Sequence, residues 1–301
     1  MRVVDLFCGC GGSSLGFQTA GMKVVAGYDY WIKALNVYKA NHNHTVILHD
    51  LSSKRAPDFI RSHKPDIIIG SPPCQDFSLA GKQIIGDRAN LTIRFAEIVS
   101  SVRPKWVVME NVPEIARVGA EVLTKTKAIL RLAGYGLTER VLNASLCGVP
   151  QARKRYFLVG LLGAEDDFIG TDLDAGLSKK PMTVRDYLGD TLGTDYFYMH
   201  QRNGVRRSVY SIDEPSRTVY GNNSPIPASY RKRTGDKADV ASGSVRALTT
   251  KERSYLQSFP ETYSFAGTKT DLDKMIGNAV PPNMAEYVAR TIIRYAAKAG
   301  C

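Results

Sequence analysis

The 301-residue sequence predicts an α/β fold with a mostly parallel sheet and helices on both faces. Short β-branched runs alternate with longer mixed segments through the first half, as in consecutive βαβ units. The runs Ile67-Ile68-Ile69 and Trp106-Val107-Val108-Met109 are apolar at every position, which indicates central strands covered on both sides. The predicted strands are 2–7, 23–28, 45–49, 66–70, 105–110 and 155–161, and the predicted helices are 13–20, 31–40, 58–63, 91–102 and 121–133.

A second, smaller domain is predicted from a change in composition near residue 163. Gly, Asp, Ser, Thr and Tyr become frequent there, and short β-like pieces occur at 208–212 and 217–220. Helical patterns return at 249–257 and 284–297. We therefore predict a loop-rich, mainly β domain at 176–273 and a discontinuous large domain at 1–175 and 274–301.

The charge and cysteine content limit the class of function. The formal net charge is +11, and basic residues cluster at 153–155, 202–207 and 231–233, which favours a polyanionic partner. No apolar run approaches the ~20 residues of a membrane helix, and the N-terminus lacks a signal-peptide layout, so we expect a cytoplasmic protein without a membrane partner. Five cysteines without a secretory signal argue against a disulfide framework, and the lone Cys8–Cys10 pair predicts no metal site.

A glycine-rich turn follows the first predicted strand. The segment Asp5-Leu6-Phe7-Cys8-Gly9-Cys10-Gly11-Gly12 leads into a predicted helix, and such turns bring a ligand close to the backbone at a helix N-terminus. The spacing differs from a dinucleotide fingerprint, so any nucleotide-like ligand fits. Asp29 and Asp50 follow the second and third strands, where they either bind ribose and adenine or cap helices and face solvent.

Three further positions carry chemistry at the predicted strand ends. The turn Gly70-Ser71-Pro72-Pro73-Cys74 is stiffened by two prolines, and Cys74 is either an aimed nucleophile or a buried structural cysteine. Glu110 ends the next apolar strand, where a carboxylic acid can hydrogen-bond a ring nitrogen. Period-two alternation predicts that Arg153 and Arg155 share one face, with guanidinium groups suited to a carbonyl oxygen or phosphate.

Taken together, the motifs resemble the cytosine-C5 DNA methyltransferase family along nearly the whole chain. In the family's usual order they are DLFCGCGGSSLGF, GSPPCQDFS, ENV, QARKR, RALTTKERSYLQSFPETY and GNAVPPNMAEYVA. The resemblance implies a Rossmann-like adenosylmethionine-dependent methyltransferase fold with a small target-recognition domain. It also implies S-adenosylmethionine as the cofactor, double-stranded DNA as the partner, and extrusion of the target cytosine from the duplex.

The resemblance also implies a role for each matching residue. Cys74 would attack C6 of cytosine, Glu110 would bind N3 and the exocyclic amine, and Arg153 and Arg155 would hold the base O2. The segment 75–88, with Gly81 and Gly86 as hinges, would close over the base. The implied cofactor residues are Phe7, Gly9, Gly11, Gly12, Asp29, Tyr30, Asp50, Leu51, Pro73, Asn278 and Val280.

Target recognition is expected in the region 163–243. The stretch SIDEPSRTV resembles a piece found in GC-recognising members, which favours a short G/C-rich site, although each arginine could equally contact phosphate. Gln201 and Asn223 are additional candidates, and we expect a monomer. A cognate restriction endonuclease is one candidate partner, and a phage-borne or a solitary methylase is the alternative. The predicted DNA-binding residues are Gln75, Ser78, Arg88, Arg202, Arg206, Arg207, Arg217 and Asn222.

Two departures from the family pattern and three alternative functions remain at this point. Ala89-Asn90 stands where Arg-Gly is frequent, and Leu146-Cys147 stands where Asp-Tyr is common. A tRNA cytosine methyltransferase would share the motifs but usually has a Cys-Phe-Thr tripeptide, which the recognition region lacks. A non-catalytic DNA-binding relative would tend to lose Cys74 or Glu110, and an unrelated oxidoreductase would need the dinucleotide spacing.

Overall fold

The computed structural model describes residues 1–73, 90–200 and 207–300. Its backbone divides into two compact units. Unit 1 comprises Met1–Leu142, Lys154–Leu177 and Ala285–Cys301, and unit 2 comprises Asn143–Arg153 and Ser178–Met284. The predicted boundaries differ from these limits at three places, because 143–153 and 274–284 belong to unit 2 and 176–177 belong to unit 1.

Strands and α-helices alternate through the first half of the chain, and short elements joined by loops follow. The strands are β1 (Arg2–Leu6), β2 (Lys23–Asp29), β3 (Thr45–Leu48), β4 (Ile67–Gly70), β5 (Trp106–Asn111), β6 (Tyr135–Asn143), β7 (Gln151–Ala152), β8 (Lys154–Leu162), β9 (Tyr196–Tyr198), β10 (Val209–Ser211), β11 (Ser216–Arg217) and β12 (Val245–Ala247). The helices are α1 (Gly12–Thr19), α2 (Ile32–Asn41), α3 (Ala56–Ser62), α4 (Asn90–Val102), α5 (Ala120–Leu132), α6 (Gly170–Ala175), α7 (Val184–Leu188), α8 (Thr250–Leu256), α9 (Lys269–Asn278) and α10 (Pro282–Ala299).

Unit 1 is built on a seven-stranded sheet with the order β3-β2-β1-β4-β5-β8-β6. The pairs β1–β2, β1–β4, β2–β3 and β4–β5 are parallel, and β5–β8 is antiparallel. Val3 and Val4 are both fully buried, and because successive residues of a strand point to opposite faces, the sheet is covered on both sides. The predicted fold class is therefore confirmed for unit 1.

The register of the sheet brings the strand ends to one edge. Leu6 pairs with Tyr28 on β2 and with Gly70 on β4, and Gly70 in turn pairs with Met109 on β5. The antiparallel β8 starts at this edge, where Tyr156 pairs with Asn111. We call this edge, with the turns after β1 to β5 and the start of β8, the strand-end edge.

The described residues of unit 2 form two small sheets and three α-helices. Its sheets have the orders β10-β9-β12 and β11-β7, and the helices α7, α8 and α9 accompany them. Phe197, Tyr210, Val219, Leu256 and Ile276 belong to one buried apolar cluster. Much of the remaining chain is loop, as the composition predicts.

Among the described strands and α-helices, those not predicted from the sequence are β6, β7, β9, β12, α6, α7 and α9. The α9 segment KTDLDKMIGN is polar on average, and its buried residues include Asp273, so few apolar residues mark its buried face. The antiparallel direction of β8 depends on pairing with β5, which is distant in sequence and leaves no local signal. Within the described ranges, no helix combines the length and apolar character that crossing a membrane requires.

Candidate functional site at the strand-end edge

The glycine-rich turn after β1 has an unusual backbone. Phe7, Gly9 and Gly11 have φ angles of 57°, 53° and 95°, in the left-handed region that favours glycine. The turn is closed by the Gly11 N–H, which donates to the Cys8 carbonyl at 2.9 Å. The α1 helix then begins at Gly12 with no side-chain cap, so the turn and the helix N-terminus together present backbone N–H groups.

Asp29 connects this turn to the end of β2. Its Oδ2 accepts the Gly9 N–H at 2.8 Å, and its Oδ1 accepts the Trp31 N–H at 2.8 Å. Burial raises the pKa of the Asp29 carboxyl above its ordinary value, and these backbone donors partly oppose that effect. The carboxylate is consequently fixed in position beside the turn.

The other predicted cofactor residues of unit 1 surround the same edge. Tyr30 is 64% exposed, and Asp50 is exposed with its Oδ1 accepting the Ser52 N–H at 2.9 Å, which lowers the pKa of Asp50. Leu51, the residue after Asp50, is buried. A Cβ added at Gly9 would meet no atom within 4 Å, so the turn borders open space. An open turn flanked by two acids and an exposed aromatic ring fits a nucleoside-containing ligand.

The turn that leads to Cys74 is held by an asparagine from β5. Asn111 is 3% exposed, and its Nδ2 donates to the Pro72 carbonyl at 3.2 Å. Pro73 is half-buried beside it. Cys74, Gln75, Ser78 and Arg88 lie outside the described residues, as does the rest of the predicted closing segment 75–88.

Glu110 and Arg155 form an ion pair at the same edge. Glu110 lies on β5 and Arg155 near the start of β8, and Arg155 Nε lies 3.0 Å from Glu110 Oε1. Their side chains are 10% and 13% exposed respectively, so the pair is largely shielded from water. An arginine at this distance restricts the orientation of the carboxylate.

Arg153 does not share a face with Arg155, and that prediction is wrong. Arg153 follows the last residue of β7 and precedes the first residue of β8, so the alternation breaks there. Its side chain is 1% exposed and donates to the carbonyls of Val219, Gly277 and Ala279 at 3.0, 2.9 and 3.1 Å. These contacts lie within unit 2, and the assignment of Arg153 to the base O2 stays a prediction from the sequence motif.

Asn278 and Val280 lie at the end of α9 in unit 2. Asn278 is the last residue of α9, and Val280 is 4% exposed. The carbonyls of Gly277 and Ala279, on either side of Asn278, accept from Arg153. The assignment of Asn278 and Val280 to the cofactor stays a prediction from the sequence motif.

The described DNA-binding candidates of unit 2 differ in their surroundings. Arg207 donates to both oxygens of Glu214, at 2.8 and 3.0 Å, and lies over the Tyr210 ring. Arg217 lies over the Tyr220 ring, and the Asn222 side chain is exposed. Asn223 donates from Nδ2 to the Leu248 carbonyl at 3.0 Å. Gln201, Arg202 and Arg206 lie outside the described residues.

Sequence reasoning missed the buried polar groups that support unit 2. Arg253 pairs with Asp273, each side chain being 4% exposed, and Arg253 also donates to the carbonyls of Tyr220 and Asn222. Gln151 donates to Gln257 Oε1 at 2.8 Å. Gln151, Arg253 and Gln257 stand inside two of the quoted motifs, whereas Asp273 lies outside them. The four-residue spacing of Arg253 and Gln257 places both on one helical face, a signal present in the sequence.

The described cysteines have the character of packing residues. Cys8, Cys10 and Cys147 are buried and free of disulfide bonds. Burial raises the pKa of the thiols of Cys10 and Cys147 to about 12, so both are protonated at neutral pH. Cys147, one of the two departures from the family pattern, thus fills a buried position. No group of metal-binding side chains occurs among the residues that the structure describes.

Comparison with solved structures defines the class of protein first. The S. pombe Dnmt2 methyltransferase matches 100% of this chain, and 99% of that chain is covered, with a TM-score of 0.73 and 17% sequence identity. At this identity the match establishes the fold, the Rossmann-like α/β fold of methyltransferases.

Comparison of sequences then gives the family. The family model described as C-5 cytosine-specific DNA methylase matches residues 1–294, and the chain belongs to that family. It is 50% identical over 297 residues to the type II methyltransferase M.HindV of Haemophilus influenzae, covering 98% of this chain and 97% of the relative. It is 48% identical to M.HgiDI of Herpetosiphon aurantiacus, covering 98% and 95%.

Proposed function

We propose that this chain transfers a methyl group from S-adenosylmethionine to C5 of a cytosine in double-stranded DNA. One observation carries the proposal: a single edge of one sheet holds both the glycine turn with Asp29 and the Glu110–Arg155 ion pair. The first is suited to a nucleoside-like donor and the second to a polar heterocycle. Two substrates placed side by side are what a group transfer requires.

The proposed donor site uses residues of the strand-end edge. When bound, S-adenosylmethionine supplies a methyl group made electrophilic by the sulfonium. Asp29 would accept ribose hydroxyls, Tyr30 and Asp50 would lie beside the adenine, and the open Gly9 turn would admit the ligand. Phe7, Gly11, Gly12, Leu51 and Pro73 would complete the site, with Asn278 and Val280 assigned by motif resemblance alone.

The proposed chemistry begins at Cys74. Its thiolate bonds to C6 of the extruded cytosine, and the electron pair of the C5–C6 double bond moves toward C5 and the ring. Glu110 hydrogen-bonds N3 and the exocyclic amine, which offsets the developing negative charge, while Arg155 holds O2. After C5 is methylated, a base removes the C5 proton, the double bond re-forms, and the C6–sulfur bond breaks to release Cys74.

The remaining proposals concern the DNA site, the oligomeric state and the cellular partner. We infer that unit 2 recognises a short G/C-rich site, supported by the net charge of +11 and the arginines of its loops. We also infer that the protein acts as a monomer and in a restriction-modification system, with a cognate endonuclease as cellular partner. The relatives' designation as type II methyltransferases supports the latter.

The direct test offers the protein two substrates. Purified protein is incubated with methyl-labelled S-adenosylmethionine and either duplex DNA or tRNA, and labelled cytosines in DNA are located by bisulfite sequencing. We expect label in DNA at a fixed short sequence. Label in tRNA alone, or in neither nucleic acid, would contradict the proposal.

Substitutions at two positions then test the chemistry. Cys74→Ser should abolish both methyl transfer and covalent trapping on duplexes that contain 5-fluorocytosine, whereas Cys301→Ser should retain both. Glu110→Gln should lower kcat by ~10²- to 10⁴-fold, the range for loss of a catalytic acid or base, while DNA affinity changes little. Equal losses of kcat and DNA affinity would instead assign Glu110 a structural role.

A further inference from the structure

An exposed tyrosine stands among the DNA-recognition candidates of unit 2. We define residues 217–223 as the recognition segment, and Tyr220, at its centre, is 52% exposed. Within the part of unit 2 that the structure describes, no other large hydrophobic side chain is exposed to this degree. Exposed aromatic side chains are enriched at interfaces, so Tyr220 requires an explanation that the proposed chemistry does not supply.

Tyr220 contacts the arginine that is the strongest described candidate for base recognition. The Arg217 Cζ atom lies 5.1 Å from the centroid of the Tyr220 ring, within cation–π range. Arg217 Nη1 donates to the His200 carbonyl at 3.0 Å. The ring and the carbonyl together restrict the plane of the guanidinium, which carries five N–H donors.

The backbone that carries Tyr220 is held by buried side chains. The Val219 carbonyl accepts from Arg153 at 3.0 Å, and the Val219 N–H donates to Gln151 Oε1 at 2.8 Å. The carbonyls of Tyr220 and Asn222 both accept from Arg253, which is 3% exposed. Buried side chains of unit 2 therefore hydrogen-bond three of the seven residues of the recognition segment.

The α9 helix also fixes this segment, through direct contact between backbones. A Cβ added at Gly277 would lie 2.3 Å from the Gly221 nitrogen and 2.3 Å from the Tyr220 carbonyl carbon. Glycine at 277 thus permits an approach that any other residue would prevent. The backbone at Tyr220 and Gly221 therefore packs directly against α9.

We propose that Tyr220 is a specificity-determining residue, whose ring orients the Arg217 guanidinium for contact with a guanine next to the target cytosine. The inference rests on the proposed function, because it requires DNA as substrate. Recognition of guanine O6 and N7 needs a planar fork of donors in a defined orientation. A guanidinium that is already oriented loses less conformational freedom on binding, which favours the matching base pair.

The test compares site selection by matched variants. Wild type, Tyr220→Leu and Tyr220→Phe are each given a duplex library in which every base pair around the target is varied, and bisulfite sequencing measures discrimination at each position. We expect Tyr220→Leu to lower discrimination roughly tenfold at one G·C position, within the range for loss of one bidentate contact. Tyr220→Phe keeps the ring and should remain within about twofold of wild type.

Further variants test whether Arg217 and Tyr220 act together. Arg217→Lys should lose discrimination at the same position, and the double variant should lose no more than either single one, as expected when two residues act as a unit. Phe59→Leu is the matched control, because Phe59 in unit 1 is 42% exposed and lies 5.3 Å beneath Arg55 Cζ. It should leave the discrimination profile unchanged.

Three outcomes would overturn the inference. An unchanged profile in Tyr220→Leu removes Tyr220 from recognition, and a uniform loss at all positions means that Arg217 contacts phosphate instead of a base. If the losses of discrimination of the two single variants add in the double variant, Tyr220 and Arg217 act independently. If wild type itself methylates no cytosine in the library, the proposed function fails and not this inference.

Discussion

The helices of the two units begin in different ways. In unit 1, α1, α2, α3, α5 and α6 start without a side-chain cap. In unit 2, α7, α8 and α9 follow Thr183, Thr249 and Thr268, and each hydroxyl accepts the N–H three residues ahead. Short helices occur in both units, so length alone does not account for the difference.

Burial explains the contrast. The seven-residue helix α3 places Ala56 and Ile60, both fully buried, in the main apolar cluster of unit 1. Unit 2 has two small sheets, and its short helices need local hydrogen bonds because one or two turns are unstable alone. Unit 1 is thus held mainly by apolar packing on a large sheet, and unit 2 by specific polar contacts. Three predictions test this difference.

The largest effect is expected from breaking the buried ion pair of unit 2. Arg253→Ala removes the buried guanidinium partner of Asp273, which keeps its ion pair with Lys269, and removes the donor to two backbone carbonyls. We expect the free energy of unfolding to fall by about 3 kcal/mol in urea titrations. Lys125→Ala, which breaks an exposed pair with Glu121 in unit 1, should have little effect. Equal effects of the two substitutions would contradict the comparison.

A buried acid of unit 1 gives the second prediction, on pH dependence. Asp5 is 1% exposed, accepts from the Ser14 hydroxyl at 2.7 Å, and has no cationic partner among the described residues. Burial raises its pKa to about 7. Between about pH 4 and 7 the folded chain therefore binds more protons at Asp5 than the unfolded chain does, so stability decreases as pH rises through this window.

Asp5→Asn removes this titration. The stability of the variant relative to wild type should rise by ~2 kcal/mol between pH 5.5 and pH 8, measured from urea transitions at both values. A difference that stays constant with pH would show that Asp5 keeps its ordinary pKa and that unit 1 tolerates a buried carboxylate.

The smallest effect concerns the caps. Thr249→Ala removes the hydroxyl that accepts the Glu252 N–H at 3.2 Å, and should lower the free energy of unfolding by about 1 kcal/mol. Thr171→Ala, an exposed position near the start of the uncapped α6, is the control and should change it little. If both substitutions lower the free energy of unfolding by the same amount, helix capping does not distinguish the two units.

The predicted site illustrates how far sequence patterns extend. Asp29 and Glu110 could be placed at one edge in advance, because parallel strands end together and each residue directly follows or ends an apolar run. The outcome differed for Arg153 and Arg155, which are two residues apart but have unrelated partners. Period-two alternation holds within a strand, and here one strand ends before Arg153 and another starts after it.

The capping signals of unit 2 were available in the sequence as Thr183-x-x-Asp186, Thr249-x-x-Glu252 and Thr268-x-x-Asp271. These signals predict the starts of α7 and α9. What they could not have given is the contact between α9 and the recognition segment, since residues 277 and 221 are 56 positions apart.

The sequence by itself determined the family, the α/β class and the strand-end residues, because these depend on local hydrophobic period and on short motifs. The tertiary structure decided the direction of β8, the buried partners of Arg153, and the support of Tyr220 by Arg253 and Gly277. These features arise where distant segments satisfy each other's buried hydrogen-bonding groups, and the residue type alone does not reveal which partner each group will find.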